Sequence, residues 1–322
     1  MIAIEEHILA ATNAELIKKS ESVQTLWSGY GQIKRYHLTG GDYPSVIAKH
    51  IQWPDASNNP RGWNTELSHQ RKQRSYLVET VWYQQYAHQT DAHCRVPQLL
   101  HDVSSDTEML LVMEDLNACG FSSRLTPGTV TLDKVKSCLK WLARFHARFM
   151  NVEPNGLWPI GTYWHLDTRP DEWAKMKNKA LKQAAQAIDK RLNEARFQTL
   201  VHGDAKLANF CFGDGEHVAA VDFQYVGGGC GMKDVAYCIS SCLDDKACER
   251  FESELLDCYF NELEVGMDNR SEFQLVMNEW LGLYRYAWAD FYRFLDGWSP
   301  GHWKMHRYSQ NLTDQVINEL SQ

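Results

Sequence analysis

The 322-residue chain has no stretch of 18 uninterrupted apolar residues, so no transmembrane helix is expected. It has no surplus of positive charge: 33 Lys and Arg stand against 41 Asp and Glu, a net charge of −8. That excludes a nucleic-acid binder working through bulk positive charge. Its nine cysteines contain no CxxC pair. A zinc site wants paired close ligands and a disulfide framework an even count, so neither is expected. Cys238, Cys242 and Cys248 lie in a helix-like apolar stretch and read as reduced thiols used as small apolar residues. This usage favours a reducing, cytoplasmic setting. Glu5 and Glu6 stand where a signal peptide wants positive charge, so secretion is not expected. The sequence shows no internal repeat, no low-complexity segment and no mark of an obligate protein partner.

What is present is ordinary globular composition, 44% hydrophobic and 23% charged. Disorder, collagen and coiled coil are excluded on that ground. At roughly 150 residues per domain, the length fits about two lobes. Residues 25–38 and 45–51 read as strands separated by the turn signal GGDYP. Residues 53–64 read as a polar loop. Residues 68–87 read as a helix that Ser68 can cap. Two more strands follow at 98–104 and 108–115. The Gly/Pro/Ser-punctuated stretch 117–130 marks a lobe boundary, placing one lobe at 1–115 and the other at 116–322. Residues 131–150 give the clearest helix, with an apolar stripe from Leu132 to Phe149 and Thr131 as its N-cap. A second helix is expected over 171–195, a hairpin around Gly-Asp-Gly over 210–223, and helices from about 233 onward. The outline is α+β: a β-rich N-terminal lobe with one key helix and a larger, mainly helical C-terminal lobe.

Chemistry concentrates in VHGDAKLANF (201–210) and VDFQ (221–224). The expected hairpin returns the chain to its start, so Asn209 and Asp222 converge. A carboxylate beside an amide oxygen makes a hard oxygen site of the kind Mg²⁺ takes, with water and phosphate completing the shell. Asp204 is left over beside that pair, the position of a base that orients a hydroxyl.

HGDxxxxN followed by Asp-Phe resembles the kinase-like small-molecule phosphotransferases: the aminoglycoside phosphotransferase and choline kinase superfamily. LVMEDLNACGF (111–121) and Asp-Phe-Gln resemble its ecdysteroid-kinase-like branch in particular, and LARFHARF (142–149) resembles the helix before the catalytic loop. The resemblance covers about residues 20–240. It implies a bilobal, protein-kinase-like fold and transfer of the γ-phosphate of ATP, with Mg²⁺, to a hydroxyl of a small molecule. Asp204 and Lys206 would be catalytic, and Asn209 and Asp222 would hold the metal. Lys49, in VIAKHI, would meet the nucleotide phosphates, held by Glu79, the one acid of helix 68–87. SGYGQ (28–32) would cover the phosphates with Gly29 and Gly31. Residues 113–116, with Glu114 and Leu116, would form the hinge against adenine. Singly, each of these residues has an ordinary explanation as a solvated lysine, a surface acid or a turn glycine. Their joint order carries the reading.

Departures from the protein-kinase pattern narrow it. Gln224 follows Asp-Phe, no Ala-Pro-Glu occurs, and eleven residues separate Asp222 from Asp234. A peptide-docking segment has little room there, so a small-molecule acceptor is expected, with neither nucleic acid nor membrane as partner. A pseudokinase that binds nucleotide without transferring phosphate is the rival. GGGCG (227–231) reads as a flexible turn, Asp234 as a support of the catalytic loop, and His202 as a packing residue. Ten of the 29 residues 280–308 are aromatic. They suit an aromatic box for an ammonium, a flat wall for a bulky alcohol, or plain core packing. Asp290 and Asp296 lie among them as possible anchors for a cation or hydroxyl. Six acids in 243–257 suit a polycationic acceptor or a solvated helix face, and Arg71, Lys72 and Arg74 read as a solvated face.

Overall fold

The computed structural model describes residues 2–26, 29–53, 66–267 and 269–322. The loop expected over 53–64 lies almost wholly outside them, as does Ser28. A five-stranded antiparallel sheet opens the chain: β1 (Leu16–Thr25), β2 (Gly31–Thr39), β3 (Ser45–Gln52), β4 (Leu99–Ser104) and β5 (Glu108–Glu114), in the order β1-β2-β3-β5-β4. The single strand expected over 25–38 holds the end of β1, at Thr25, and β2 from Gly31 onward. The positive φ of Gly29 (78°) and Gly31 (122°) reverses the chain there. A side chain at Gly31 would sit 2.1 Å from the carbonyl oxygen of His50, so β2–β3 pairing itself demands glycine.

Alternation in β3 decides which side chains meet the rest of the molecule. Val46 and Ala48 face Ile8, Tyr36, Leu110 and Val112 under α1 (Ile4–Thr12), a helix the sequence reading did not anticipate. Ile47, Lys49 and Ile51 take the opposite face, opposite Met113, Leu111 and Met109. Helix α2 (Glu66–Gln85) lies between β3 and β4 in sequence. Ser68 stands inside its first turn rather than at its cap.

The C-terminal region is helical around short strands. Thr131 caps α3 (Leu132–Arg148), accepting from the Lys134 amide at 3.4 Å. The helix expected over 171–195 is two, α4 (Pro170–Lys175) and α5 (Lys179–Asn193). The break has a cause. Asp296 accepts from the amides of Lys177 (2.7 Å) and Asn178 (2.9 Å), and Asn178 caps α5 by accepting from Leu181 at 3.0 Å. Strands β6 (Thr199–Val201), β7 (Phe210–Phe212), β8 (Val218–Ala220) and β9 (Gly227–Gly229) form two hydrogen-bonded pairs, β6–β9 and β7–β8. GGGCG is therefore not a flexible turn: three of its residues form β9 and Gly231 precedes α6. A side chain at Gly227 would meet the Trp158 carbonyl oxygen at 2.1 Å. Helices α6 (Met232–Cys242), α7 (Asp245–Gly266), α8 (Arg270–Trp298) and α9 (Arg307–Leu320) complete the chain. Among the described residues no helix is long and apolar enough to cross a membrane, and all nine cysteines are free.

One aromatic cluster joins the two regions. Phe223 stacks on Trp82 of α2 with centroids 4.5 Å apart and packs edgewise to Tyr83, while Trp82 also meets Phe145 of α3 and Phe149 at its C-cap. Phe223 is fully buried. Truncating it to Ala should cost about 3–5 kcal/mol. Urea unfolding of that variant measures the loss.

Candidate active site

The sheet, α2 and the helical region enclose a cleft of about 1130 Å³. The Lys49 ammonium enters it from β3, 2.6 Å from Glu79 Oε2 and 3.7 Å from Asp222 Oδ1. Lys49 and Glu79 are both nearly fully buried. Burial pushes the Glu79 carboxyl up, against the pull of Lys49. Asp222 is a non-glycine residue at φ 71°, a left-handed conformation that L side chains rarely adopt. Burial pushes its carboxyl up, but Lys49, Lys206 and Lys72 outweigh burial and hold it below the ordinary range.

The loop after β6 supplies the rest. Gly203 has φ 77°, and a side chain there would meet the Tyr225 carbonyl oxygen at 2.0 Å. Asp234, fully buried on α6, accepts from the amides of His202 (2.5 Å) and Gly203 (3.0 Å), and from His146 at 3.2 Å. His202 in turn bonds the Val221 carbonyl at 3.1 Å and packs on Phe223. Asp204 is thereby held with Oδ2 2.7 Å from Lys206 Nζ and 3.1 Å from Asn209 Nδ2. Its Oδ1 is buried and has no hydrogen-bond partner. Burial works against the Lys206 charge, but Asp204 and Asp222 outweigh it and raise the pKa. Asn209 spends its amide nitrogen on the Asp204 carbonyl (2.8 Å) and side chain, which leaves its amide oxygen for another partner.

At the other end, Asp115 fixes the segment after β5. It accepts from Arg35 (2.6 Å), Ser45 (2.7 Å) and the Asn117 amide (3.1 Å). The Glu114 side chain is engaged by Arg95, the Gln98 amide and Cys119. The Leu116 carbonyl takes Cys119 and Phe121, while its N–H donates to no group among the described residues. Glu114, Leu116 and Gly29 all line the cleft. The geometry thus brings Lys49, Glu79, Asp204, Lys206, Asn209 and Asp222 together, whereas Gly31 serves strand pairing.

Several expectations need correction. Lys72 is not on a solvated face: it donates to Gln224 Oε1 at 2.8 Å and lies 4.6 Å above the Tyr76 ring. Burial lowers its pKa to about 8, with Asp222 opposing. Gln224 also donates to Asp222 Oδ1 at 2.6 Å, so one side chain ties α2 to Asp222. Arg71 donates to the Thr168 carbonyl at 2.6 Å, whereas Arg74 is exposed, as expected, and lies over the Trp158 ring. Asp290 and Asp296 are not free anchors. Asp290 binds Trp164 and Arg293 at 2.8 Å each, and Asp296 holds the α4–α5 break. The acids of 243–257 are outside the cleft lining. Most of the aromatics of 280–308 are core, but Phe291, Phe294 and Trp298 face the cleft. Sequence reasoning also missed Tyr163, Tyr237, Arg169 and Lys304 in the lining. Only Lys72 left a signal, two helical turns before Glu79 on the same face.

Residues 25–273 match the APH phosphotransferase enzyme family. No curated protein matches the chain. The chain is similar to several solved structures. The aminoglycoside phosphotransferase APH(4)-Ia is 10% identical, with 98% of this chain and 97% of that one covered at a TM-score of 0.51. A thermostable mutant of that enzyme, in ternary complex with AMP-PNP and hygromycin B, is 13% identical over 99% of both chains at 0.50. A microcompartment-associated aminopropanol kinase is 14% identical, with 96% of this chain and 89% of that one covered at 0.45. With the match spanning β2 to β5, α2 and the loop after β6, the chain belongs to the APH phosphotransferase enzyme family, and its fold is the bilobal, protein-kinase-like one.

Proposed function

We propose that the protein transfers the γ-phosphoryl group of ATP to an alcohol hydroxyl of a small molecule. The observation that carries this is the assembly of Lys49, Glu79 and Asp222 within ion-pair reach, beside a buried Asp204 with one unpartnered carboxylate oxygen. In this reading Glu79 aims Lys49 at the α- and β-phosphates. The Glu114 carbonyl and the Leu116 amide face adenine, and the Gly29 backbone approaches the phosphates. Asp204 Oδ1 orients the acceptor hydroxyl and takes its proton as the acceptor oxygen bonds to the γ-phosphorus. The bond from that phosphorus to the β–γ bridging oxygen breaks, which leaves ADP. Lys206 balances charge on the transferring group. Positioning and electrostatics supply most of the acceleration, as a loose transition state requires.

The donor set fits Mg²⁺: the Asp222 carboxylate and the uncommitted amide oxygen of Asn209 are hard oxygen ligands, and Mg²⁺ takes few from protein. When bound, the ion neutralises phosphate charge. The eleven-residue interval from Asp222 to Asp234 supports a small-molecule acceptor over a peptide. LVMEDLNACGF and Gln224 support the ecdysteroid-kinase-like branch, and nine free cysteines support a cytoplasmic setting. Mg²⁺-dependent transfer from γ-labelled ATP to alcohols tests the proposal.

Lys72 adds a pH dependence. It faces Asp222, Lys49, Glu79 and Asp204, and its charge is present below about 8 and lost above. The KM for ATP should therefore rise as pH passes through about 8. Lys72→Met should remove that limb of the profile.

A further inference from the structure

The acceptor end of the cleft is built of Tyr163, Tyr237, Phe291, Phe294, Leu295 and Trp298. An aromatic wall of this kind suits an ammonium ligand, but the cation seated on it is the protein's own. The Lys304 ammonium lies 4.4 Å from the Tyr237 centroid and 5.3 Å from that of Phe291. Lys304 is 9% exposed. Its backbone is fixed on both sides: its amide donates to His302 Nδ1 at 3.2 Å, and its carbonyl accepts from Ser309 Oγ at 2.9 Å. Among the described residues no carboxylate lies within ion-pair distance of it. The acids that the sequence offered here, Asp290 and Asp296, are spent on Arg293, Trp164 and two backbone amides. Of the cations beside this end of the cleft, Arg169 has Glu172 at 3.3 Å and Arg71 donates to the Thr168 carbonyl at 2.6 Å. A buried ammonium held by ring faces alone has lost its water and lacks a counter-ion. Asp204 is the acid whose field acts on Lys304 most, but it lies beyond ion-pair distance and spends its Oδ2 on Lys206 and Asn209.

We propose that the acceptor is an anionic alcohol, its hydroxyl at Asp204, its anionic group on Lys304 and its apolar body against Phe294, Leu295 and Trp298. This rests on the phosphotransferase reading of the same cleft. It narrows that reading, because a cationic amine or polyamine would meet an unpaired positive charge at the acceptor end. A matched carboxylate or phosphonate would supply the missing partner.

The test uses probes that share one body. These are para-(hydroxymethyl)benzoate, the corresponding phosphonate, benzyl alcohol and para-(hydroxymethyl)benzylammonium. Each is measured by calorimetric binding to the AMP-PNP complex and by phosphate transfer from Mg·ATP. The anions should bind roughly 10–100-fold tighter than benzyl alcohol, the range of a charge-assisted hydrogen bond, and the ammonium weaker than either. The carboxylate and phosphonate arms tell which anion the site prefers. Lys304→Met should collapse the ratio and Lys304→Arg restore part of it. A preference for the ammonium, equal binding of all probes, or a ratio unchanged in Lys304→Met overturns the proposal. So does a Lys304→Met that weakens AMP-PNP while the ratio stays, since Lys304 would then serve the nucleotide. Transfer to alcohols without anion preference defeats this inference and leaves the phosphotransferase reading standing. Lys304-dependent anion binding with no transfer in any arm does the reverse.

Discussion

Asp204→Ala should lower kcat by about 10²–10⁴-fold, the range for loss of a positioned general base, while ATP binding stays nearly unchanged. The split follows from the geometry. Asp204 touches Lys206 and Asn209 but no residue of the sheet, so its removal leaves Lys49 and Glu79 in place. The loop should keep its path, because Asp234 and His202 hold its backbone independently of the Asp204 side chain. Steady-state kcat beside calorimetric ATP affinity measures both halves. A variant that loses ATP affinity in step with kcat would place Asp204 in nucleotide binding instead.

Asp222→Ala should abolish Mg·ATP turnover. Three lysines surround Asp222: Lys49 at 3.7 Å, Lys72 through Gln224, and Lys206. The variant loses the carboxylate ligand proposed for the metal and leaves those lysines without their shared counter-charge. Its surviving ATP binding should lose its dependence on Mg²⁺, because phosphate would meet Lys49, Lys72 and Lys206 with no metal between. Titrating ATP into the variant with and without Mg²⁺ shows this. ADP release at a near-normal rate would remove Asp222 from the metal site.

The residues proposed to handle phosphate were legible as a group because they sit on elements with clear signals. Lys49 falls on an alternating strand, Glu79 is the only acid of its expected helix, and Asp204, Lys206, Asn209 and Asp222 share a loop and hairpin of fixed spacing. The proposed acceptor end was legible only in part: the aromatic-rich run 280–308 contributes Phe291, Phe294 and Trp298, while Tyr163, Tyr237 and Arg169 join it by tertiary contact. Lys304 follows α8, whose Phe291, Phe294, Leu295 and Trp298 share the cleft lining with it. Asp290 and Asp296 looked like free anchors because sequence does not reveal backbone amides left open by a helix break at Lys177 and Asn178. Lys72 read as solvated because apolar periodicity reports where carbon goes and is silent on a lysine turned inward toward a carboxylate. The break between β1 and β2 was hidden for a related reason: sequence does not reveal the positive φ that Gly29 and Gly31 adopt there.

The most direct test of the account is Mg²⁺-dependent phosphate transfer from γ-labelled ATP to a panel of small alcohols, with Asp204→Ala as the blank. The account predicts a labelled phosphate ester whose formation requires Mg²⁺ and an acceptor hydroxyl and falls to the blank's level in the variant. Tight Mg·ATP binding with no labelled ester from any alcohol, or transfer that persists in Asp204→Ala, would contradict it.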